Sequence, residues 1–513
     1  MNAARFISFW TGFCSLSLEI AWVRLYGYVN QSTPQAFAYV LAIYLLGIAL
    51  GAQIGKRVCQ FPQRQDIEKA SVLVLFVGAV VAVMSPWAFL GSKELALDEL
   101  VAPLGIFLTA AALSVLFPVT HHLGTPQQLA GSDVGKGRHF SRVYIMNVSG
   151  AALGPLVTGY VLLEFLTITQ TFAFLAAVIF LLACAAGCLY GQGNKLPMQG
   201  SALLCLGLML VGGYWSWSDP HALARSWAIT QGEAVVAVHE NRHGIITIAE
   251  SQVTGIQPFI DYSVYGGNVY DGKVNVDLER NTNGLERLLA LHVLQPEAKK
   301  VLILGLSIGS WLAVVEGFPG VEQIDVVEIN PGYLALARQF EAQRSALEDP
   351  RVRLHIDDAR RWLKYNPQEK YDLILMNTTW HWRANISMLL SQEMMALTSR
   401  HLTDMGVLAF NATGSVDAFY TASTVFKETR RYQNFIYGAQ WDPFTQAQSL
   451  QAWERLYQVT VAGKPGFSRE GGFVEKYAKV PFLKVEHVLE ELDRSPEVIR
   501  DDNMLVEYKY GRK

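Results

Sequence analysis

The sequence predicts an α-helical transmembrane bundle followed by a water-soluble α/β domain with a parallel, doubly wound sheet. Apolar runs dominate from Met1 to Tyr214, and the composition becomes ordinary beyond Asp219. From Lys300 onward, short strands and helices alternate along the chain. Only 17% of the 513 residues are charged, against roughly 25% in a typical soluble protein. A chain of this length exceeds a single core, so we expect at least two domains.

The bundle contains seven apolar stretches close to the length of about 20 residues that a membrane-spanning helix needs. The predicted spans are Phe6–Tyr28, Ala36–Ile54, Ala70–Leu90, Val101–Thr120, Val143–Leu163, Thr169–Leu189 and Ala202–Trp217. The first span contains Glu19 and Arg24, and no small-residue cleavage site follows it. We therefore interpret it as a span and not as a cleaved signal peptide.

The basic residues near the spans predict the orientation of the bundle, because cytoplasmic loops are enriched in Lys and Arg. They lie between spans two and three, between spans four and five, and after span six: Lys56, Arg57, Arg64, Lys69, Lys136, Arg138, Arg142 and Lys195. This distribution places the N-terminus in the cytoplasm. Seven complete spans would then place the α/β domain outside. If the seventh segment lies in the membrane–water interface without crossing, the α/β domain stays inside. Both alternatives stay open.

Charged and small residues inside the spans predict how the helices pack. A charge within a span is costly, so Glu19 and Arg24 are expected to form an ion pair, with each other or with a neighbouring helix. A substrate or ion pathway, or snorkelling of Arg24 to the interface, are the alternatives. Gly47, Gly51 and Gly55 repeat every fourth residue in the second span, which favours close helix packing.

Charge and cysteine content exclude several classes of function. The net charge is −3 and the pI about 6.4, so no nucleic-acid partner is expected. All five cysteines lie in the membrane half, at spacings that do not indicate a metal site. The soluble half has no cysteine, which excludes thiol catalysis and disulfides there.

A β-rich hairpin region is expected over residues 219–296, between the bundle (1–218) and the α/β domain (297–513). Ala234–Val238 and Ile245–Ala249 have strand-like patterns, with turn residues between them. Val264–Val276 is predicted to form a second hairpin that turns at Asp271–Gly272. Leu285–Leu294 then has a helical pattern.

Four strands and three helices alternate after this region, which predicts a parallel doubly wound sheet. The strands are Lys300–Leu304, Gln323–Glu328, Val352–Ile356 and Tyr371–Met376, and the helices are Trp311–Glu316, Pro331–Leu347 and Ala359–Tyr365. In such sheets the ligand lies beyond the carboxyl ends of the strands. The residues at those ends are therefore the candidate site.

The strand ends carry a pattern typical of a nucleoside site. Gly305 and Gly309 flank the first strand-to-helix turn, where a missing Cβ lets a ligand approach the backbone. Glu328, some 20 residues on, ends the second strand and can accept both ribose hydroxyls. Asp358 follows the third strand and can accept from an adenine amino group, or it can simply cap the next helix. Asn377 ends the fourth strand, where the reacting group would lie.

Ser307 raises a competing interpretation, because G-x-S-x-G is also the pattern of a hydrolase nucleophile turn. We do not favour it, since this is the first strand of the unit and no Asp and His follow in hydrolase order. Turn geometry alone is a further explanation of the two glycines.

Several segments together resemble a spermidine synthase. They are VLILGLSIGSWLAVVEGFPGVEQIDVVEINPGYLALARQF, DPRVRLHIDDARRWL and KYDLILMN, preceded by YDGKVNVD and GLERLLALH. The segments GFCSLSLEIAWVRL, YLLGIALGAQIGKR, RVYIMNVSGAALGPLVTGYVLL and DDNMLVEY resemble the membrane-fused spermidine synthase-like proteins of bacteria. The resemblance implies a Rossmann-like, methyltransferase-type fold, a multi-pass protein of the bacterial inner membrane, and a role in polyamine biosynthesis.

The resemblance also implies roles for individual residues. Gly305, Gly309, Glu328 and Asp358, with Ser307 in the same turn, would bind an S-adenosylmethionine-type donor, most simply the decarboxylated form. The chain departs from the family at two places. Ile308 stands where soluble aminopropyltransferases have an Asp, and Asn377-Thr378-Thr379-Trp380-His381 replaces a segment with two acids.

These departures shift the expected catalytic residues to Asn377 and His381. The reaction needs an unprotonated amine, and an amine of pKa near 10 is mostly protonated at neutral pH. Asn377 can accept a hydrogen bond but cannot take the proton, so His381 is a candidate replacement base, with Asp417 more remote. Trp380 and Trp382 are expected either to form a wall for an amine or sulfonium or to pack structurally.

The leading hypothesis is a membrane-bound transferase that moves an aminopropyl group from decarboxylated S-adenosylmethionine to a small amine or polyamine. The alternatives are an S-adenosylmethionine-dependent methyltransferase, and a non-catalytic module that binds polyamines or nucleosides or is coupled to transport. The expected partners are the amine and the lipid bilayer, without nucleic acid or metal. A homodimer is left open.

Overall fold

The computed structural model describes residues 3–125, 133–190, 196–230, 232–254, 258–377 and 380–509. The chain divides into two compact units. The helical unit contains Met1–Asn30, Gln35–Ala228 and Glu240–Ile245, and the α/β unit contains Gln31–Pro34, Ile229–His239 and Ile246–Lys513.

In the described part of the helical unit there are ten α-helices and one π-helical turn, Thr158–Leu162. The helices are α1 (Ala3–Val29), α2 (Pro34–Val58), α3 (Arg64–Ser92), α4 (Asp98–Ser114), α5 (Leu116–Gly124), α6 (Asp133–Val157), α7 (Leu163–Phe165), α8 (Ile168–Leu189), α9 (Leu196–Ser218) and α10 (Ala222–Ser226).

Seven stretches of the described helices are long and apolar enough to cross a membrane, which confirms the predicted number. Each contains one predicted span: Ala3–Val29, Pro34–Val58, Arg64–Ser92, Asp98–Gly124, His139–Phe165, Ile168–Leu189 and Gly200–Ser218. Of the basic residues that predicted the orientation, Lys195 lies outside the described residues, as do the side chains of Lys136 and Arg138.

The glycines of α2 let its backbone approach the backbone of the fourth span closely. A Cβ added to Gly47, Gly51 or Gly55 would lie 2.3–2.6 Å from a backbone carbonyl oxygen of that span. Any larger residue would therefore force the two backbones apart, which confirms the close packing predicted from their spacing.

Glu19 and Arg24 do not form an ion pair with each other, so that alternative is wrong, while pairing with a neighbouring helix stays a prediction. Five residues along an α-helix turn the side chain by about 140°, so the two groups leave the helix in different directions. Arg24 instead donates through Nη2 to the backbone carbonyl of Asn241 within the same unit. A substrate or ion pathway at these two charges, and snorkelling of Arg24, stay predictions.

The α/β unit opens with a four-stranded antiparallel sheet in the order β1-β2-β3-β4. Its strands are β1 (Ala234–Asn241), β2 (Gly244–Val253), β3 (Phe259–Gly266) and β4 (Val269–Lys273). The first hairpin turns between Asn241 and Gly244, as predicted.

The predicted turn at Asp271–Gly272 is wrong, because both residues lie in β4. The chain turns directly after β3 ends, at Gly267 and Asn268, which have φ angles of 57° and 66°. Two left-handed residues give the turn whose twist matches a hairpin, and a Gly–Asn pair adopts it easily. The β3–β4 register then shifts, because Val264 pairs with Gly272 and Tyr265 with Tyr270. Asp271 is thus the extra residue of a β-bulge, which redirects its side chain.

The second sheet has eight strands in the order β14-β10-β11-β9-β8-β5-β6-β7. They are β5 (Lys300–Leu304), β6 (Gln323–Glu328), β7 (Val352–Ile356), β8 (Tyr371–Met376), β9 (Leu402–Asn411), β10 (Glu428–Tyr432), β11 (Phe435–Ala439) and β14 (Leu483–Lys484), while β12 (Thr460–Val461) and β13 (Lys464–Pro465) form a separate ribbon.

The helices of this unit are α11 (Glu286–Leu294), α12 (Ser310–Val315), α13 (Gly332–Ala337), α14 (Glu341–Glu348), α15 (Ala359–Tyr365), α16 (Ser387–Leu390), α17 (Gln392–Arg400), α18 (Val416–Ser423), α19 (Phe444–Ala447), α20 (Leu450–Glu454), α21 (Phe473–Ala478), α22 (Val485–Leu489) and α23 (Leu505–Tyr508), with a 3₁₀ turn at Arg455–Gln458.

The sheet is parallel only from β7 to β9. Strands β5, β6, β7, β8 and β9 pair in parallel, as the alternation predicted. The other edge was not predicted: there β11 pairs antiparallel with β9 and β10, and β14 pairs antiparallel with β10. The predicted helix Pro331–Leu347 is also wrong as one helix, because the extended backbone at Phe340 separates α13 from α14.

The central strands are buried on both faces, which positions the site at their ends. In β5, Val301 and Ile303 belong to one apolar cluster, and Leu302 and Leu304 belong to another. Since alternate residues of a strand face opposite sides, both faces of the sheet are covered. Polar groups at the carboxyl ends of these strands are therefore held by a rigid frame.

Candidate active site

A cavity of about 210 Å³, here the strand-end cavity, lies at the carboxyl ends of β5, β6 and β8 and in the loop after β7. Five of the predicted residues line it: Gly305, Ser307, Glu328, Asp358 and Asn377. The topology thus brings together residues up to 72 positions apart, from Gly305 to Asn377.

Glu328 is the buried carboxylate of this cavity. It is 4% exposed and accepts the backbone N–H groups of Leu306 and Asn330, each at 2.7 Å. Burial raises the pKa of Glu328 to about 7, although these backbone hydrogen bonds oppose the shift. The two bonds fix the carboxylate while leaving lone pairs for a ligand's hydroxyl groups.

The glycine-rich turn forms one wall, and its residues differ in their roles. Gly305 has a φ of 89°, and a Cβ there would lie 2.9 Å from the carbonyl oxygen of Asn377. The Ser307 hydroxyl donates to the carbonyl of Asp271 at 3.0 Å, so it is already engaged within the protein. Gly309 does not line the cavity; its φ of 86° lets the chain enter α12. Ile308 is 1% exposed and belongs to the apolar core.

Asp358 both lines the cavity and caps a helix. Its side chain accepts the backbone N–H of Arg361 at 2.8 Å at the start of α15. The alternative that Asp358 caps the following helix is therefore confirmed. The carboxylate is exposed, so its remaining lone pairs are accessible from the cavity.

A second cavity of about 340 Å³, here the aromatic cavity, adjoins the first. It is lined by Tyr270, Asp271, Gly272, Asn283, Arg287, Trp311, Asn377, Trp380, Asn411, Thr413 and Asn434. Asp271 and Asn377 line both cavities. Groups bound in the two cavities would thus meet beside an amide and a carboxylate.

Asp271 is a candidate functional residue that the sequence pattern did not reveal, because it lines both cavities. Its Oδ2 accepts the Tyr333 hydroxyl at 2.6 Å. Burial raises the pKa of Asp271 above its usual range, while the Tyr333 hydroxyl and the Arg383 guanidinium oppose that shift. A buried carboxylate with a raised pKa is a suitable proton acceptor. The Asp-Gly pair pointed to a turn, and a bulge in β4 is not visible in a single sequence.

The remaining catalytic candidates, His381 and Asp417, lie outside both cavities. His381 contacts Thr413, whose Oγ1 lies 3.0 Å from both the backbone nitrogen and the Nδ1 of His381, and burial lowers the pKa of His381. His381 lines neither cavity, and Asp417 is held in an ion pair with Arg494. Trp380 lines the aromatic cavity, and its ring stacks on that of Trp382 with centroids 6.2 Å apart.

The segment between Asn377 and Trp380 is only partly described. Thr378 and Thr379, which replace part of the family's acidic segment, lie outside the described residues. Among the residues that the structure describes, no three His, Cys, Asp or Glu side chains are grouped as a metal site would require.

The α/β unit matches the family model for the spermine/spermidine synthase domain over residues 289–439. The chain is 26% identical over 416 residues to a polyamine aminopropyltransferase of Mycobacterium tuberculosis, covering 78% of this chain and 75% of the relative. The chain is therefore similar to spermidine synthase-like proteins. The match to the mycobacterial relative is longer than residues 229–513, so it extends into the apolar half.

Other similar proteins match shorter stretches or align at low similarity. The spermidine synthase of Solanum lycopersicum is 39% identical over 85 residues, or 16% of this chain and 25% of the relative. A crystal structure of spermidine synthase with the transition-state analogue AdoDATO aligns with a TM-score of 0.38 and 18% identity, over 50% of this chain and 87% of the other. The spermidine synthase of Thermotoga maritima gives the same values.

Proposed function

We propose that this chain is a membrane-bound aminopropyltransferase that uses decarboxylated S-adenosylmethionine and an amine acceptor. The polyamine aminopropyltransferases among its relatives carry a polyamine in their name, so a polyamine is the first acceptor to test. The observation that carries the proposal is the pair of adjoining cavities that share Asp271 and Asn377.

The strand-end cavity supplies what an adenosyl donor needs. Glu328 accepts the ribose hydroxyls with the lone pairs that its two backbone bonds leave unused. Asp358 accepts from the adenine amino group, and Gly305 keeps the wall open for the ligand. The sulfonium then lies toward the wall shared with the aromatic cavity, beside Asn377.

The acceptor amine enters from the aromatic cavity and attacks at the shared wall. Its nitrogen lone pair forms the new C–N bond to the methylene beside the sulfonium, and the C–S electron pair returns to sulfur as a neutral thioether. Asp271 takes the proton that the nitrogen must lose, and its buried position favours that uptake. Asn377 accepts a hydrogen bond from the amine and holds it in line.

A second candidate is transfer of methyl from S-adenosylmethionine itself. The observation that favours it is Arg383, a buried guanidinium that lines the strand-end cavity near Asp271. An Arg and an Asp together would suit the carboxylate and ammonium of an amino-acid tail. Decarboxylated S-adenosylmethionine has only the ammonium, so the two candidates differ in whether Arg383 contacts the donor.

The products distinguish the two candidates. The purified full-length chain, in lipid nanodiscs, is incubated with each donor and a panel of amines, and the nucleoside product is identified by mass spectrometry. Aminopropyl transfer gives methylthioadenosine from the decarboxylated donor only. Methyl transfer gives S-adenosylhomocysteine from the other donor. If neither product exceeds the amount formed by a Glu328→Gln variant, both candidate reactions are refuted and a non-catalytic binding module is favoured.

We further propose that the α/β unit faces the cytoplasm in the bacterial inner membrane, since the donor is made there. Seven apolar helices with a cytoplasmic N-terminus would place it outside, so the proposal requires the seventh helix to lie in the interface or the orientation to differ. A pair of C-terminal reporter fusions, one active only inside and one only outside, tests this. Activity of the outside reporter alone would contradict it.

A further inference from the structure

The charges that line the aromatic cavity have opposite signs and different positions. Asp271 lies on the wall shared with the strand-end cavity, whereas Arg287 lines the aromatic cavity alone. Among the described residues that line this cavity, these two are the charged ones. A molecule that lies in the cavity thus meets a carboxylate at the end near the donor and a guanidinium elsewhere.

The Arg287 guanidinium is fixed in place by its surroundings. It lies over the adjoining rings of Trp311 and Phe435, at 5.2 and 5.0 Å from their centroids. Its Nε donates to the carbonyl of Gly284 at 2.8 Å. A Cβ on Gly284 would lie 2.3 Å from Nη2, so the glycine makes room for the guanidinium. Arg287 is therefore preorganised and does not need to move to meet a ligand.

Neutral groups accept the hydrogen bonds of this guanidinium. Nη1 donates to Asn434 Oδ1 at 2.8 Å, and Nη2 donates to the carbonyl of Asn283 at 2.9 Å. No Asp or Glu among the described residues lies within 4.0 Å of it. Each Nη keeps one N–H that these bonds do not use. A half-buried cation with spare donors and neutral partners is a suitable site for an anionic group.

We propose that the acceptor is a zwitterionic amine, with its nucleophilic nitrogen at Asp271 and a carboxylate at Arg287. A diamine would instead place its second ammonium in a cavity whose other charge is a guanidinium, without a second carboxylate beside Asp271 among the described lining residues to compensate. This inference rests on the proposed function, because it takes the aromatic cavity as the acceptor site. The transfer step is unchanged: the carboxylate binds Arg287 and takes no part in bond making.

The test compares acceptors of equal length that differ only at the far end. The full-length chain in nanodiscs is supplied with decarboxylated S-adenosylmethionine and either 4-aminobutyrate or 1,4-diaminobutane, and methylthioadenosine formation is followed. The next longer pair, 5-aminopentanoate and 1,5-diaminopentane, covers a longer reach between the two charges. We expect kcat/KM at least tenfold higher for the amino acid of a pair. A preference for the diamines in both pairs overturns the inference and leaves the proposed function standing.

Variants of Arg287 assign any preference to its charge. Arg287→Met keeps an apolar chain against the two rings and should reduce the preference at least tenfold, whereas Arg287→Lys keeps the charge and should retain most of it. Arg430 is the matched control, because it also stacks on a ring, that of Phe444, but pairs with Glu428 and lines neither cavity. Arg430→Met should leave the preference unchanged. Equal preferences in all three variants would overturn the role of Arg287.

A binding measurement separates the two proposals if no acceptor reacts. Absence of methylthioadenosine with every amine would refute the proposed function. The chain is then saturated with methylthioadenosine and titrated with each member of a pair. Tighter binding of 4-aminobutyrate than of 1,4-diaminobutane, lost in Arg287→Met, upholds the inference for a binding site. Equal binding of both, or binding of neither, overturns it.

Discussion

Glu328 should make both the stability of the α/β unit and its affinity for nucleosides depend on pH, in opposite directions. Burial raises the pKa of Glu328 from 4.5 to about 7 in the folded chain. The folded state therefore binds more protons than the unfolded state between these values, so stability is highest below pH 4.5 and falls until about pH 7. At about 1.4 kcal/mol per pKa unit, Glu328 alone should cost about 2–3 kcal/mol between pH 5 and pH 8.

The comparison with Glu328→Gln isolates this effect. Both full-length proteins are unfolded with denaturant in detergent at pH 5 and pH 8, and the free energy of unfolding is followed by tryptophan fluorescence. The wild type should lose about 2–3 kcal/mol more than the variant over this range. The other titrating groups are common to both proteins, so to first order they cancel in the difference.

Affinity should change in the other direction, because the ionised carboxylate accepts the ribose hydroxyls. Methylthioadenosine carries no net charge at these pH values, so its binding reports on Glu328. Its Kd should be about tenfold higher at pH 6 than at pH 8 for the wild type, as one ionisation with a pKa near 7 requires. The variant should bind weakly at both pH values. If the wild type and the variant showed the same pH dependence of unfolding free energy and the same pH dependence of Kd, Glu328 would not be the group responsible.

Three further predictions concern the shared wall and the turn. Asp271→Asn should lower kcat by about 10²-fold or more with little change in methylthioadenosine affinity, whereas His381→Gln should lower kcat much less, because His381 lines neither cavity. A larger loss in the histidine variant would contradict the assignment. Asp358→Ala should destabilise the unit by about 1 kcal/mol, because it removes the helix cap, and should also weaken nucleoside binding. Asp358→Ser should restore the cap but not the binding. Full recovery of nucleoside binding in Asp358→Ser would show that Asp358 only caps the helix. Gly305→Ala should cost about 1–3 kcal/mol in unfolding free energy because of its φ of 89°, and an unchanged melting temperature would contradict this.

The parts of the fold that depend on local pattern were predictable. The seven helices follow from runs of apolar residues, and β5 to β8 follow from short apolar strands that alternate with helices. The antiparallel edge was not predicted, because pairing of β11 between β9 and β10 depends on contacts along the sheet and not on periodicity. The second hairpin was misplaced because two turn signals, Gly267–Asn268 and Asp271–Gly272, lie four residues apart and only one can close it.

The same limits decide which site residues the sequence revealed. Gly305, Glu328, Asp358 and Asn377 follow consecutive strands, so the topology rule brings them together. Asp271 and Arg287 come from the region before the first strand of that sheet, and only the tertiary fold brings them to the same cavities. Sequence reasoning therefore identified the expected acids as absent at Ile308 and Asn377. It could not find the carboxylate that β4 supplies at the shared wall.

The most direct test of the account is a single-turnover experiment with a donor labelled in its aminopropyl group. The full-length chain, in excess over the labelled decarboxylated S-adenosylmethionine, is mixed with an amine, and the label is traced after separation of the products. The account predicts that the label moves to the nitrogen of the acceptor in equal amount with the methylthioadenosine released, and that Asp271→Asn slows this transfer. Label that stays on a bound but unreacted donor, with every amine supplied, would contradict it.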